Sequence, residues 1–279
     1  MLNSFHGGPT TVDFFACVIF CLTRVNSILI GKNMEKKPLH EHGGMHLYRH
    51  ETMWFLKCVR GRMRFKAILF DLDGTLLDTL ADLANSMNTV LANNGFPVFP
   101  VRRYRYFVGE GMENLVRKTL PAEHRDTEHV DRCLAGMRDE YDRHWGDTTR
   151  PYDGIPEMLA NLKKAGMTLA VLSNKPHMYT LQMIAHYFGD DIFTAVAGLR
   201  PDVPRKPDPR AALQIAHDFG VPPHDIAYVG DTAIDMETAV RAGMYPIGVL
   251  WGFRDADELL AHGAKTLLHS PHELMRVIG

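Results

Sequence analysis

The sequence predicts an α/β fold: a Rossmann-like parallel sheet with helices on both faces, interrupted by a small all-helical insertion. Three observations predict it. An uninterrupted apolar run, Ala67–Phe70, reads as a strand buried on both faces. From residue 155 to residue 268, apolar strand-like runs alternate with helical periods across short connections, which is the signature of a parallel sheet. Between these two regions, residues 79–150 carry helical patterns and no strand signal.

The elements follow in order. After the strand at 67–70, Leu80, Leu83, Met87, Val90 and Leu91 fall at helical spacing, and Gly95 with Pro97 ends that helix. Further helical pieces are expected at residues 101–107, 112–120 and 123–145, and the chain turns back around 151–154. Helices are then predicted at 155–165, 176–188, 209–219 and 232–242, each stopped by a glycine, at 166, 189, 220 and 243. They alternate with strands at 168–172, 193–197, 226–229 and 246–250. A helix at 255–262 and a strand at 265–268 complete the series. The core is therefore assigned to residues 63–78 and 151–279, and the insertion to 79–150.

Upstream of Met63 the pattern changes. Hydrophobic periods are poor there and histidines are scattered, so residues 1–62 read as an extension outside the folded unit. The apolar run at 14–22 is too short to span a bilayer. Neither a basic leader nor a small-residue cleavage site accompanies it, so no membrane association is expected. His40, His42, His46 and His50 invite a metal reading, but no cysteine or carboxylate is arranged with them and Gly43 and Gly44 interrupt the scaffold.

Net charge is −2 across 279 residues, which offers no electrostatic footprint for nucleic acid. The four cysteines contain no CxxC pair, and a reducing cytoplasm is the expected compartment.

Ligands of open parallel sheets bind beyond the carboxyl ends of the strands. There the sequence places Asp71, Asp73, Gly74 and Thr75 after the first strand, Ser173, Asn174 and Lys175 after the second, Lys206 before the helix at 209, and Asp231 and Asp235 after the strand at 226. Each piece alone has a plain structural reading: a solvated turn, a helix cap, a proline turn. Four pieces converging on one sheet edge favour chemistry.

Clustered carboxylates repel unless a cation holds them, and Asp71, Asp73 and Asp231 are hard oxygen ligands of the kind Mg²⁺ prefers. With the charge neutralised by metal and Lys206, Asp71 is expected to attack phosphorus in line. Asp73 is expected to protonate the leaving oxygen and then to activate water. Gly74 allows close backbone approach, Thr75 and Ser173 offer hydroxyls to phosphoryl oxygens, and Asp235 steadies the metal surroundings.

The run DLDGTLLDT from Asp71 resembles the first motif of the haloacid dehalogenase-like hydrolases, and SNK at Ser173, Lys206 and GDTAIDM at Gly230 resemble their second, third and fourth. PYDGI at Pro151, SNKPH at Ser173, RKPDP at Arg205 and AGMYPIGVLWGFR at Ala242 look like the bacterial phosphoglycolate phosphatases within that group. The resemblance covers about residues 64–279. It implies Asp71 as nucleophile, Asp73 as acid/base, and Mg²⁺ held by Asp71, the Asp73 backbone carbonyl and Asp231. It also implies that the helical insertion is a cap over the active site.

The expected substrate is 2-phosphoglycolate, a small phosphate ester, acted on by a monomer or small homo-oligomer. Its carboxylate is expected to meet the backbone at 109–111, the start of the following helix, and Arg117, with Glu110 standing against that seat. Asn174 is grouped with the substrate-binding residues. A nucleotidase, a pyrophosphatase or a phosphomutase would share the core motifs. A dehalogenase would not need Asp73, and a non-catalytic binding module would be expected to lack the nucleophile or the metal aspartate.

Overall fold

A computed structural model of the chain describes residues 64–279; the expectations for residues 1–62, including the histidines at 40–50 and the run at 14–22, lie outside it. Among the described residues, six strands form one parallel sheet: β1 (Ala67–Phe70), β4 (Thr168–Pro176), β5 (Ala195–Leu199), β6 (Ile226–Gly230), β7 (Tyr245–Val249) and β8 (Thr266–Leu268). Their order is β5-β4-β1-β6-β7-β8, so β1 lies centrally between β4 and β6.

Side-chain alternation divides the core into two faces. Ala67 and Leu69 of β1, Ala170 and Leu172 of β4, and Ile226 and Tyr228 of β6 pack on one side with Ala212, Ile215 and Ala216 of α6 (Arg210–Phe219) and Ala239 and Ala242 of α7 (Ala233–Ala242). The intervening residues Ile68, Phe70, Leu169, Val171, Ala227 and Val229 face the opposite side. They meet Ile155, Met158, Leu159 and Leu162 of α4 (Ile155–Lys164), Met183 and Ile184 of α5 (His177–Phe188), and α9 (Leu274–Ile278). Burial on both faces explains why these strands read as continuous apolar runs. The remaining core helix, α8 (Ala256–Ala261), buries Leu259.

The insertion is helical as expected: α1 (Leu80–Asn93), a 3₁₀ turn Val101–Tyr106, α2 (Met112–Thr119), a 3₁₀ turn Ala122–His124 and α3 (Thr127–His144). Leu83, Met87, Val90 and Leu91 of α1 join Leu115 and Val116 of α2 and Val130, Met137 and Tyr141 of α3 in the same apolar cluster as the α4 face of the sheet. The α1 to α3 unit therefore shares its core with the α/β unit. Its neck is a two-stranded antiparallel ribbon, β2 (Leu77–Asp78) against β3 (Arg150–Pro151), pairing Leu77 with Pro151 and Asp78 with Arg150.

That ribbon was not expected, because two-residue strands leave no periodicity to read. β4 also runs on to Pro176 rather than ending at 172, so Ser173 and Asn174 belong to a strand and are not helix caps. Thr232, in contrast, does cap α7, in a reciprocal arrangement with Asp235.

Candidate active site

Asp71 follows β1 directly, and its amide donates to the Val229 carbonyl of β6 at 2.9 Å. Lys206 lies between two carboxylates, with Nζ 2.7 Å from Asp71 Oδ1 and 2.7 Å from Asp235 Oδ1. All three side chains are buried. Burial first, then the neighbouring Asp235, pushes the Asp71 carboxyl up to about 7, against the pull of Lys206. For Lys206, burial opposes the charge but is outweighed by Asp235 and Asp71, which hold the ammonium well above its usual range.

Asp231 stands on the next strand end and is fully buried. Its Oδ1 accepts from the Thr75 hydroxyl at 3.0 Å and its Oδ2 from the Phe253 amide at 2.8 Å. Among the described residues no cation pairs with it. Burial, with Asp235 and Asp71 nearby, raises its carboxyl well above the usual range. Asp71, Asp231 and Asp235 present oxygens within 4.8 Å of one another. Oxygens bound about 2.1 Å from one hard ion sit about 3–4 Å apart, so the spacing suits a divalent cation.

The charges agree. With all four ionised, Asp71, Asp73, Asp231 and Asp235 would carry two more negative charges than Lys175 and Lys206 offset, an excess that a divalent cation would meet. Both Asp235 oxygens are already engaged, Oδ1 by Lys206 and Oδ2 by the Thr232 amide and hydroxyl. With the Tyr228 hydroxyl also on Oδ1, each Asp235 oxygen accepts two hydrogen bonds, whereas each Asp231 oxygen accepts one and Asp71 accepts one on Oδ1 alone. Asp71 and Asp231 thus keep lone pairs free to hold a metal, and Asp235 orients Lys206.

Asp73 stands beside them and is more open, its Oδ1 2.9 Å from Lys175 Nζ. Lys175 in turn donates to the Tyr141 hydroxyl of α3 at 2.8 Å. Neither Lys175 nor Tyr141 was assigned a role from the sequence. For Lys175 a signal existed: it lies two residues from Ser173 on one strand, hence on the same face. For Tyr141 the sequence shows only a position on the apolar stripe of α3.

Several expected ligands serve differently. Thr75 spends its hydroxyl on Asp231. Gly74 donates its amide to Leu77 O at 2.8 Å, and at φ 87° a Cβ there would lie 2.3 Å from Asp231 Oδ2. Gly74 and Thr75 thus form the wall behind Asp231, and neither lines the pocket. Asn174 is saturated: Nδ2 donates to the carbonyls of Gly109 and Lys206, and Oδ1 accepts from the Lys206 amide. It positions Lys206 and tethers the insertion.

Ser173 lines the pocket floor, with Oγ accepting from the Lys175 amide at 3.1 Å. Arg117 does not reach the pocket. Its guanidinium is held by Glu113 one helical turn away and by the Arg125 carbonyl. Glu110 is turned to Lys118 at 2.6 Å, so its charge is met locally.

A pocket lies between the sheet edge and the insertion. Asp71, Asp73, Ser173, Lys175 and Lys206 form its polar floor; Leu83, Val108, Met112 and Leu115, with Gly109 and Gly111, form the facing wall.

The sequence profile described as haloacid dehalogenase-like hydrolase matches residues 68–249, which contain every one of these polar groups. The chain belongs to the haloacid dehalogenase-like hydrolases. Within this family it is 34% identical over 219 residues to N-acetylmuramic acid 6-phosphate phosphatase of Pseudomonas aeruginosa, covering 78% of this chain and 96% of that protein. It is 30% identical over 216 residues to phosphoglycolate phosphatase of Nitrosospira multiformis, covering 76% and 95%. A crystal structure from Lactobacillus delbrueckii subsp. bulgaricus superposes with a TM-score of 0.72 at 30% identity, covering 77% of this chain and 99% of that one. The haloacid dehalogenase-like hydrolase described here is a phosphatase, a phosphoric monoester hydrolase. No described helix is long and apolar enough to cross a membrane.

Proposed function

We propose that this phosphatase requires Mg²⁺, forms an aspartyl-phosphate on Asp71, and acts on a small phosphate monoester, with 2-phosphoglycolate as substrate and segment 79–150 as its cap. The observation that carries the reading is the buried Asp231, without a cationic partner among the described residues and beside a nucleophile held by Lys206. Mg²⁺ bound by Asp71 and Asp231 would supply the two missing positive charges and draw the phosphate into an anionic site.

The steps then follow from the side chains. Lys206 occupies Asp71 Oδ1, which leaves Oδ2 to attack phosphorus. The P–O bond to the alcohol breaks as the new P–O bond to Asp71 forms, and Asp73 gives its proton to the departing oxygen. Water next attacks the same phosphorus, Asp73 takes its proton, and the bond to Asp71 breaks to restore the carboxylate. Lys175 and Ser173 face the pocket where the phosphoryl oxygens would lie. The apolar wall from the cap excludes water around the transferring group.

For the substrate, the pocket is small, and the backbone at Gly109, Gly111 and the start of α2 lines it, where a carboxylate would meet amides rather than a side-chain cation. A second reading is N-acetylmuramic acid 6-phosphate. It is favoured by the apolar wall of Leu83, Val108, Met112 and Leu115, and by both pocket ammoniums being already paired with core carboxylates. The experiment compares kcat/KM for 2-phosphoglycolate, N-acetylmuramic acid 6-phosphate, glycerol phosphates, nucleoside monophosphates and hexose phosphates, with Mg²⁺ and with EDTA. The highest value for 2-phosphoglycolate supports the first reading, and the highest for the amino-sugar phosphate selects the second. Undiminished turnover in EDTA refutes the metal requirement.

A further inference from the structure

The loop at residues 251–254 ties three parts of the molecule together. Phe253 donates its amide to Asp231 Oδ2 at 2.8 Å. Gly252 lies against the same carboxylate so closely that a Cβ there would stand 2.4 Å from Asp231 Cβ and 2.4 Å from Gly74 O. Trp251 donates its indole N–H to Thr75 O at 3.0 Å, and Thr75 itself donates to Asp231 Oδ1. The loop thus forms one wall of the Asp231 site and touches the turn that follows the nucleophile.

An arginine of the insertion holds the other side of this loop. Arg105, on the 3₁₀ turn Val101–Tyr106, donates Nε to Phe253 O at 2.6 Å and Nη2 to Gly252 O at 3.1 Å. Arg254 answers from the loop, donating to the carbonyls of Arg105 and Val108. Val108 lines the active pocket. Two peptides, Gly252 and Phe253, therefore have their carbonyls gripped by the cap while the Phe253 amide grips Asp231. Arg105 itself does not line the pocket, and two of its three guanidinium nitrogens are spent on the loop.

We propose that Arg105 is a positioning residue for the metal site: by clamping the carbonyls of Gly252 and Phe253 it holds the Phe253 amide on Asp231, so that seating of the cap and binding of the divalent cation are coupled. This rests on the reading of Asp231 as a metal carboxylate. The planar guanidinium suits the task because its fork meets two carbonyls at once, which the point charge of lysine does not. Coupling of this kind is reciprocal: a cap that stabilises the loop raises cation affinity, and the cation stabilises the seated cap.

The test is isothermal titration calorimetry of MgCl₂ into the full chain without substrate, for wild type, Asp231→Asn, Arg105→Ala, Arg105→Lys and Arg103→Ala. Arg103 is exposed on the same 3₁₀ turn. Both Arg105 variants are expected to bind Mg²⁺ about tenfold more weakly, the scale seen when a group supporting a metal carboxylate is lost. Arg103→Ala should match wild type. At subsaturating Mg²⁺ the Arg105 variants should keep the substrate KM while kcat falls, and saturating Mg²⁺ should restore kcat.

Arg254→Met, which removes the bonds returned to the cap, supplies an independent second variant with the same expected weakening. Wild-type Mg²⁺ affinity in Arg105→Ala and Arg254→Met overturns the proposal, as does full recovery in Arg105→Lys or a KM increase without a change in Mg²⁺ affinity. Failure of the underlying metal reading looks different: wild type would bind no Mg²⁺, or Asp231→Asn would bind it equally well, and both readings would fall together.

Discussion

Replacing Asp231 by asparagine should separate stability from function. The side chain is fully buried and receives the Thr75 hydroxyl and the Phe253 amide. An amide of the same shape keeps both bonds. Its oxygen accepts from Phe253, and its nitrogen donates to the Thr75 oxygen once that hydroxyl rotates. No hydrogen bond worth about 1 kcal/mol is therefore forfeited. What is removed is a buried charge whose carboxyl is held well above its usual range by burial and by Asp235 and Asp71.

The sign follows from linkage. A carboxyl with a raised folded-state pKa binds its proton more tightly in the folded protein. Its contribution is fully present below the unfolded pKa and is lost as pH rises from there through the folded pKa. With Asp71 pushed from 3.8 up to about 7 and Asp231 raised as well, metal-free wild type should lose stability as pH climbs from about 4 to about 7. Asp231→Asn should flatten this slope and melt no lower than wild type in EDTA at the alkaline end.

With the cation the order reverses. Ligand at about a hundred times its Kd stabilises by about 2.7 kcal/mol. For a domain of this size each kcal/mol shifts Tm by about 2–4 °C. Wild type should thus gain about 5–10 °C on saturation with Mg²⁺, and Asp231→Asn should gain nothing and turn over nothing. Differential scanning fluorimetry across pH, in EDTA and in Mg²⁺, reads all four conditions. A variant that melts far below wild type in EDTA, or that Mg²⁺ still stabilises fully, would refute the reasoning.

The other expectations are briefer. Asp71→Asn should abolish turnover of any phosphate ester while the domain still folds, because the amide is not a competent nucleophile; Asp73→Asn should lower kcat by about a hundredfold or more, the scale of general acid–base catalysis. Gly74→Ala should weaken Mg²⁺ binding and lower Tm, since the new Cβ would press on Asp231 Oδ2 at 2.3 Å and φ 87° disfavours a side chain; titration calorimetry and a melt check both. Lys175→Met should reduce kcat more than it changes Mg²⁺ affinity, because Lys175 pairs with Asp73 and not with Asp231. A chain shortened to begin at Met63 should melt and turn over like the full chain, and a large loss in either would assign a packing role to residues 1–62.

The site was legible in the sequence as far as strand ends are legible. Asp71, Lys206 and Asp231 are each one or a few residues from an apolar run or a proline turn, and a parallel sheet brings such ends together whatever the side chains do. The helical character of 79–150 was legible for a similar reason, because α1 and α3 bury stripes at 3.6-residue spacing.

The sequence by itself determined the class of fold and the identity of the acids and bases on one sheet edge. Both depend on local periodicity and on the carboxyl-end rule, which act over a few residues. The tertiary structure decided how each polar atom is used. Thr75 and Gly74 back Asp231, and Asn174 braces Lys206. Tyr141 and Arg105 entered from the insertion to reach Lys175 and the 251–254 loop. Such hydrogen bonds join residues 32 to 156 positions apart. A buried donor or acceptor takes the nearest complementary atom in space, and that neighbour is set by the packing of whole elements, which no local pattern encodes.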